Sequence, residues 1–254
     1  MADLPRAGRL TEADRPTSPT RRTRRTRPKE TPVTTSTPPT TIPADLDHVV
    51  YAGPDLAEAV DAVERFTGVR AAPGGVHPTG TANALIAFTV DGERVPHYLE
   101  VIGPDPDGDR PASEIATFAI RERTVPAVAT FAVHPADIEA TAERAAAAGV
   151  DLGGIRPLSR RTPSGELLQW RLTRGEPDRR DLTVPFLIDW GTTPQPGLGD
   201  LPTLELLALR VEHPDPEALA ATYAVLGVAT EVVRAEAFAI VATVQGPDGP
   251  VELR

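Results

Sequence analysis

The stretch LDHVVYAGPDLAEAVDAVERFTG, residues 46–68, decides the fold of this chain. Its first part, LDHVVYA, has the apolar and β-branched character of a strand. The part after Gly53 begins with a proline and acidic residues, which favour the first turn of a helix. Gly68 follows the helical pattern at the position where a left-handed residue commonly ends a helix. The stretch therefore predicts a strand that leads directly into a helix.

The same pattern occurs twice more, as AVATFAVHPADIEATAERAAAAG at 127–149 and LELLALRVEHPDPEALAATYAVLG at 204–227. The spacing of about 80 residues is too long for a solenoid repeat and indicates duplication of a compact strand–helix–strands unit. Further apolar runs separated by turn residues follow the first two copies and predict antiparallel strands. These runs are NALIAFTV (83–90), PHYLEVIG (96–103), ELLQWRLT (166–173) and VPFLIDWG (184–191).

We therefore predict an α+β fold in which paired βαβββ modules form a cupped mixed sheet. Module one occupies 44–110 and module two 124–195, within a domain that spans 44–198. Residues 199–254 have room for a truncated third βαββ unit. Because its strands are too apolar to be left in water, we expect this C-terminal unit to pack on the body of the protein.

Residues 1–43 differ from the rest of the chain in composition. They are rich in threonine, proline and arginine, contain no aromatic residue, and carry nine lysine or arginine residues against four acidic ones. Such a segment buries too little apolar surface to offset the entropy of ordering, so we predict a disordered tail. Its arginine pairs could contact an anionic polymer; an export signal is disfavoured because no apolar stretch of ~7–15 residues follows them.

The composition of the remainder excludes several classes of protein. It carries 17 basic residues against 32 acidic ones, which argues against a nucleic-acid partner. No apolar run approaches the ~20 residues of a membrane span, so we expect a cytoplasmic protein without membrane contact. The chain has no cysteine, which excludes disulfides and thiolate metal sites. Neither a G-x-G-x-x-G motif nor a P-loop occurs, so we expect no nucleotide cofactor.

Six segments in the right order resemble the vicinal oxygen chelate superfamily, and within it the glyoxalase-like branch (the glyoxalase, bleomycin-resistance and extradiol-dioxygenase type). The resemblance implies that the two modules pair around a single small-molecule site. The segments are LDHVVYAGPDL, GGVHPTGTANAL, HYLEVIGPDP, ATFAVHPADIEAT, SRRTPSGELLQWRL and VPFLIDWG.

The resemblance also implies that metal ligands, when present, lie on the first and last strands of each module. His48 and Glu100 occupy these positions in module one, and Asp189 corresponds to Glu100 when VPFLIDWG is matched to HYLEVIG. Thr130, a weak ligand, corresponds to His48. One imidazole and two carboxylates would suit Mn²⁺, Fe²⁺, Ni²⁺ or Zn²⁺. The alternative is that all three side chains are ordinary hydrogen-bonded residues.

Other side chains are candidates for contact with a substrate. His77 and Asn83 belong to a glycine-rich loop and strand that would let a ligand approach the backbone. Arg160 and Arg161 precede the strand that carries Trp170, and arginine presents a planar fork suited to a carboxylate or enediolate. We select Arg161 of the two, while recognising that an exposed arginine and a core tryptophan are the plainer interpretations.

Three functions remain open from the sequence. The first is a metal-dependent lyase, isomerase or dioxygenase that acts on a small oxygenated molecule, with Glu100 as the proton-transfer base. The second is a metal-free protein that binds or sequesters a small molecule, as resistance proteins of the superfamily do. The third is a non-catalytic scaffold. A homodimer is compatible with each of them.

Overall fold

The computed structural model of the protein describes residues 42–174 and 181–254. The predicted tail lies outside the described residues except for Ile42 and Pro43, and Ile42 packs against the hydrophobic core. The strands are β1 Leu46–Ala52, β2 Ala72–His77, β3 Thr81–Val90, β4 Glu93–Pro104, β5 Ala127–Val133, β6 Gly154–Arg161, β7 Leu167–Arg174, β8 Phe186–Asp189, β9 Thr203–His213, β10 Glu231–Arg234, β11 Ala239–Gly246 and β12 Gly249–Leu253. The α-helices are α1 Leu56–Thr67, α2 Ile138–Ala147 and α3 Pro216–Leu226.

Each α-helix begins at an aspartate whose carboxylate accepts a hydrogen bond from the backbone three residues further on. These N-caps are Asp55, Asp137 and Asp215. Gly68 and Gly227 end α1 and α3 in the left-handed region, with φ of 73° and 82°. The capping residues explain why all three copies of the sequence pattern form a helix of similar length. Within the described ranges, no helix has the length and apolar character needed to span a bilayer.

The two modules close into a single ring of strands. In module one β1 pairs parallel to β4, and β3 lies antiparallel between β4 and β2; module two repeats this with β5, β8, β7 and β6. An antiparallel β1–β5 pairing joins the modules on one side. On the other side, β2 meets β6 at Val76 and Arg161. The predicted paired βαβββ modules are thus confirmed, and their cupped sheet closes into a barrel.

Strand alternation separates two hydrophobic clusters. Residues such as Val50, Tyr98 and Ile188 face the barrel interior and form one cluster. Their neighbours in sequence, such as Val49 and Leu99, face outward and pack against the helices and the C-terminal unit. Because side chains alternate along a strand, each buried hydrophobic residue of β1, β4 and β8 belongs to one cluster or the other.

The C-terminal unit extends the outer face of the barrel. The start of β9 pairs parallel to the end of β3, and β9 is flanked by β10 and β11. The carbonyl of Arg254 accepts a hydrogen bond of 2.8 Å from the Val128 amide of β5. The hydroxyl of Tyr223, on α3, donates to the Thr183 carbonyl at 2.7 Å. The unit contains one strand more than the predicted βαββ, because the short segment Glu231–Arg234 pairs with β9 as β10.

We predict that Leu206→Ala lowers the free energy of unfolding by about 2–5 kcal/mol, because it opens a cavity in the outer cluster. Leu206, on β9, is buried in that cluster. Both tryptophans of the chain, Trp170 and Trp190, lie in the barrel interior, so their fluorescence follows unfolding of the barrel. A matched control is Leu198→Ala, since this leucine is 57% exposed.

The unfolding midpoint measured by tryptophan fluorescence should shift to a lower denaturant concentration in Leu206→Ala and stay unchanged in Leu198→Ala. If the C-terminal unit unfolded separately, circular dichroism would show a second transition and the tryptophan transition would not move.

Candidate functional site

The barrel encloses a cavity lined by side chains from both modules. Its polar lining comes mainly from module one, and its aromatic lining from both. The polar side chains include His48, His77, Asn83, Glu100 and Arg160, and the aromatic ones are Tyr98, Phe118, Trp170, Phe186 and Trp190.

A buried aspartate beside the cavity fixes the orientation of His48. Asp47 is fully buried, and its Oδ1 lies 2.6 Å from His48 Nδ1. Its Oδ2 accepts hydrogen bonds from Trp190 Nε1 at 2.9 Å and from Gln195 Nε2 at 2.8 Å. Burial acts to raise the pKa of Asp47, but these hydrogen bonds outweigh it and hold the pKa below its ordinary value. An ionised Asp47 requires a proton on His48 Nδ1, which leaves Nε2 to face the cavity.

Glu100 lies beside His48 on the neighbouring strand β4. Its Oε2 is 3.5 Å from His48 Nε2, and its Oε1 accepts a hydrogen bond of 2.6 Å from Asn83 Nδ2. Tyr98 stacks on the His48 ring with centroids 4.7 Å apart. Burial raises the pKa of Tyr98 well above its ordinary value, so its phenol stays protonated. His48 and Glu100 thus form a pair of adjacent proton-transfer groups that the surrounding side chains hold in place.

Asp189 does not join this pair, which corrects the expectation that it is a third metal ligand. Phe186 and Ile188 of β8 line the cavity, so Asp189 points to the outer face of the sheet. There its carboxylate accepts hydrogen bonds from Arg171 Nε at 3.1 Å and from the Gly191 amide at 2.8 Å. The match between VPFLIDWG and HYLEVIG assigned the strand correctly but was displaced by one residue, and such a step reverses the face.

Thr130 also lies apart from the predicted ligand set. In the β1–β5 pairing it stands opposite Val50, while Ala132 is the residue opposite His48. Its hydroxyl is buried and has no hydrogen-bond partner within the described ranges. A lone buried hydroxyl of this kind contributes no cation site.

Three of the four predicted substrate contacts line the cavity, and the fourth does not. His77, Asn83 and Trp170 line the cavity, and the His77 ring meets Trp170 edge-on with centroids 6.3 Å apart. Burial lowers the pKa of His77, with Glu100 opposing this effect and Arg160 adding to it. Arg161 does not line the cavity.

The outward position of Arg161 corrects the choice made from the sequence. Its guanidinium donates to the Gly165 carbonyl on the outside, and its neighbour Arg160 takes the inward position. Sequence reasoning also missed Asp47 and Tyr98. The only signal for Tyr98 was its place two residues before Glu100 on one strand; Asp47 faces outward in simple alternation, so no pattern pointed to it.

The donor set of the cavity does not fit a metal ion. Module one offers His48 and Glu100, but the inward residues of the last strand of module two are Phe186 and Ile188. In the part of the chain that the structure describes, no group of three His, Cys, Asp or Glu side chains could hold a metal ion. The guanidinium of Arg160 in the same cavity adds a positive charge that opposes a divalent cation. The first and last strands therefore supply two ligands where a site needs three or more.

Two βαβββ modules closed around a single cavity define the vicinal oxygen chelate fold. The glyoxalase-like domain family model matches residues 46–227, and the chain belongs to this family. The match extends beyond the two modules into the first strand and the helix of the C-terminal unit.

Several solved structures of low sequence identity are similar to parts of this chain. A hypothetical protein from Staphylococcus aureus is 15% identical, with 82% of this chain and 83% of that chain covered and a TM-score of 0.49. A Streptomyces coelicolor methylmalonyl-CoA epimerase in complex with 2-nitronate-propionyl-CoA is 21% identical, with 59% and 97% covered and a TM-score of 0.37. A xylose isomerase-like TIM barrel/4-hydroxyphenylpyruvate dioxygenase fusion protein is 14% identical, with 85% and 33% covered and a TM-score of 0.36. No curated protein matches the chain.

We predict that Asp47→Asn reverses the tautomer of neutral His48. An asparagine no longer requires a proton on Nδ1, so the ring gains the freedom to carry its proton on Nε2 and donate it to Glu100. Nitrogen-15 NMR of the histidine rings distinguishes the two tautomers. Asp189→Asn is the matched control, because Asp189 lies outside the barrel. Identical His48 signals in the wild type and Asp47→Asn would show that Asp47 does not set the tautomer.

A second prediction concerns His97, which is buried on β4 and whose Nδ1 has no partner in the described part of the chain. Burial lowers its pKa, although a backbone hydrogen bond with Leu46 acts in the opposite direction. The unfolded chain takes up this proton near pH ~6.5 and the folded chain only at lower pH, so the free energy of unfolding falls as the pH drops below that value.

His97→Gln should therefore show a shallower loss of unfolding free energy between about pH 6.5 and 5 than the wild type. Urea denaturation at each pH measures the slope. Equal slopes in the two proteins would mean that His97 titrates normally in the folded state.

Proposed function

We propose that the protein binds a small oxygenated molecule inside the barrel and transfers a proton on it without a metal ion, as an isomerase or a lyase does. One observation carries the proposal: His48 Nε2 and Glu100 Oε2 lie 3.5 Å apart inside a cavity that both modules enclose. Two proton-transfer groups so close together can act on the same substrate.

In the proposed step, Glu100 Oε2 removes a proton from a carbon beside a carbonyl group. His48, in its doubly protonated form with one proton on Nδ1 and one on Nε2, donates the Nε2 proton to the oxygen where negative charge develops, so no charge accumulates on the substrate. Afterwards the proton moves from Glu100 to His48 across the gap of 3.5 Å, and both groups return to their starting forms.

The surrounding residues suit this exchange. Asp47 holds a proton on His48 Nδ1, so Nε2 is the atom that loses and regains its proton. Asn83 donates to Glu100 Oε1 and leaves Oε2 for the substrate. Tyr98, stacked on the imidazole, keeps the ring from turning.

A second candidate is binding without chemistry, as in a sequestration protein. The aromatic side chains in the cavity lining favour it, because flat rings bind flat ligands through large contact areas. Trp170 and Trp190 have ring centroids 5.3 Å apart and belong to this lining. The two candidates share the cavity and differ in whether the bound molecule exchanges a proton.

Hydrogen–deuterium exchange distinguishes them without a known substrate. The purified protein is incubated in D₂O with a panel of small aldehydes, ketones, 2-oxo acids and thioesters, and NMR follows loss of the proton beside the carbonyl. We predict catalysed exchange of at least one compound, unchanged by EDTA. Glu100→Gln should slow it by about 10²–10⁴-fold. Glu139→Gln is the matched control, because Glu139 pairs with Arg171 on the outside.

Exchange that EDTA abolishes and a divalent ion restores would contradict the metal-free mechanism. Binding of a panel compound, seen as a saturable change in tryptophan fluorescence without any exchange, would favour sequestration over catalysis.

A further inference from the structure

Arg160 is a buried cation for which the described residues supply no acidic partner. The residue is 5% exposed, and its Nη1 donates to the Gly74 carbonyl. Within residues 42–174 and 181–254, no carboxylate oxygen lies within ion-pair distance of its guanidinium. Burial lowers the pKa of Arg160, and Tyr98 and Glu100 oppose this effect. The direction agrees with a guanidinium that has lost its hydration and has few compensating hydrogen bonds or charges around it.

Five arginines nearer the surface of the protein behave in the opposite way. Arg70, Arg171, Arg210, Arg234 and Arg254 each form an ion pair with a glutamate or an aspartate. Exposed ion pairs contribute little to stability, whereas an unpaired buried charge is costly. Arg160 differs from these five residues because it is buried, and no carboxylate in the described part of the chain pairs with it. An anion that enters the cavity would compensate this charge.

The backbone of β2 is shaped around this side chain. A Cβ atom at Gly75 would lie 2.9 Å from Arg160 Nη1 and 2.3 Å from the Arg161 carbonyl oxygen, and Gly75 has a φ of +151°. A Cβ atom at Gly74 would lie 2.3 Å from Asn83 Oδ1. The two glycines thus leave the room that the guanidinium and the amide beside it occupy.

The remaining cavity residues define the kind of anion. Glu100, the acidic residue in the lining, is directed to Asn83 and His48. The lining holds two guanidinium groups: Arg160, which is buried, and Arg174 at the end of β7, which is half-buried. We assign the anion to Arg160 because it is the buried one, and one buried guanidinium neutralises the single charge of a carboxylate, whereas a phosphate monoester at neutral pH carries nearly two. The apolar part of the lining includes Trp170, which suits a flat hydrocarbon body.

We propose that Arg160 binds the carboxylate of the ligand, and that the ligand is a small monocarboxylic acid with a flat apolar body. The inference rests on the proposed function to the extent that the cavity must bind a small molecule. It does not depend on proton transfer, so the two are tested separately.

Isosteric pairs of acids and amides provide the test. Benzoate with benzamide, and cyclohexanecarboxylate with its amide, are titrated into the full-length protein while the fluorescence of Trp170 and Trp190 is recorded. We predict that the acid of at least one pair binds about ten-fold or more tightly than its amide, because the hydrogen bond to the guanidinium is charge-assisted. In Arg160→Gln this ratio should fall to near one.

Arg161→Gln is the matched control. It makes the same change at the adjacent residue, whose guanidinium binds Gly165 on the outside of the barrel, and it should retain the wild-type ratio. Ligand-free Arg160→Gln should melt no lower than Arg161→Gln, because removal of an unpaired buried charge is neutral or stabilising. If Arg160→Gln does not fold, Arg160→Lys gives a second test: it keeps the charge, loses the planar fork, and should show a reduced ratio.

Three results would overturn the inference. If the wild type bound acid and amide equally, Arg160 would not be a carboxylate-binding residue, although the cavity would still be a binding site. Tighter binding of phenyl phosphate than of benzoate would assign a different anion. Failure of every acid to bind would overturn it as well, and proton transfer would still be decided by exchange in D₂O.

Discussion

Closure of the eight barrel strands into a ring is the constraint on which the rest of the structure depends. Once the ring is closed, alternate residues of every strand are removed from water, whatever their chemistry. An inward polar side chain must then find a partner inside the ring or lose free energy. The site therefore consists of the inward positions that carry polar residues. The hydrogen bonds of each polar side chain indicate its role in the site.

Most of these polar groups satisfy one another. The Asp47 carboxylate accepts hydrogen bonds from three side chains. The Glu100 carboxylate accepts one from Asn83 and faces His48. Such a network is rigid because breaking any one contact leaves a buried group without a partner. Arg160 differs from them, since a single backbone carbonyl does not compensate a buried charge. A rigid acid–base network beside an unsatisfied cation is an arrangement suited to a ligand that carries its own negative charge.

The sequence predicted the elements and their order because these depend on local patterns: aspartate caps, left-handed glycines and apolar runs. It also predicted five residues that line the cavity, including His48 and Glu100. Asp189 was assigned to the correct strand and to the wrong face. Arg161 was expected ahead of the strand that carries Trp170; it is the last residue of β6, and its guanidinium lies outside the barrel. The face depends on register, and a match displaced by one residue reverses it. Elsewhere in the barrel, the pairings contain irregularities at Leu46/His48 and Pro73/Gly75 that no local pattern predicts. Asp47 illustrates the same limit: it lies within the first of these irregularities, next to the histidine that it orients.

The two modules are alike in fold and different in chemistry, and this difference bears on function. On the first and last strands, module one directs an imidazole and a carboxylate into the barrel, whereas the last strand of module two directs Phe186 and Ile188. A metal ion gains from ligands on all sides and would find them on one side only. An amphipathic molecule gains from the opposite arrangement, since its polar atoms can meet module one while its apolar body meets module two. Duplication thus supplied a symmetric enclosure, and the inward side chains of β8 made it a site for an organic ligand.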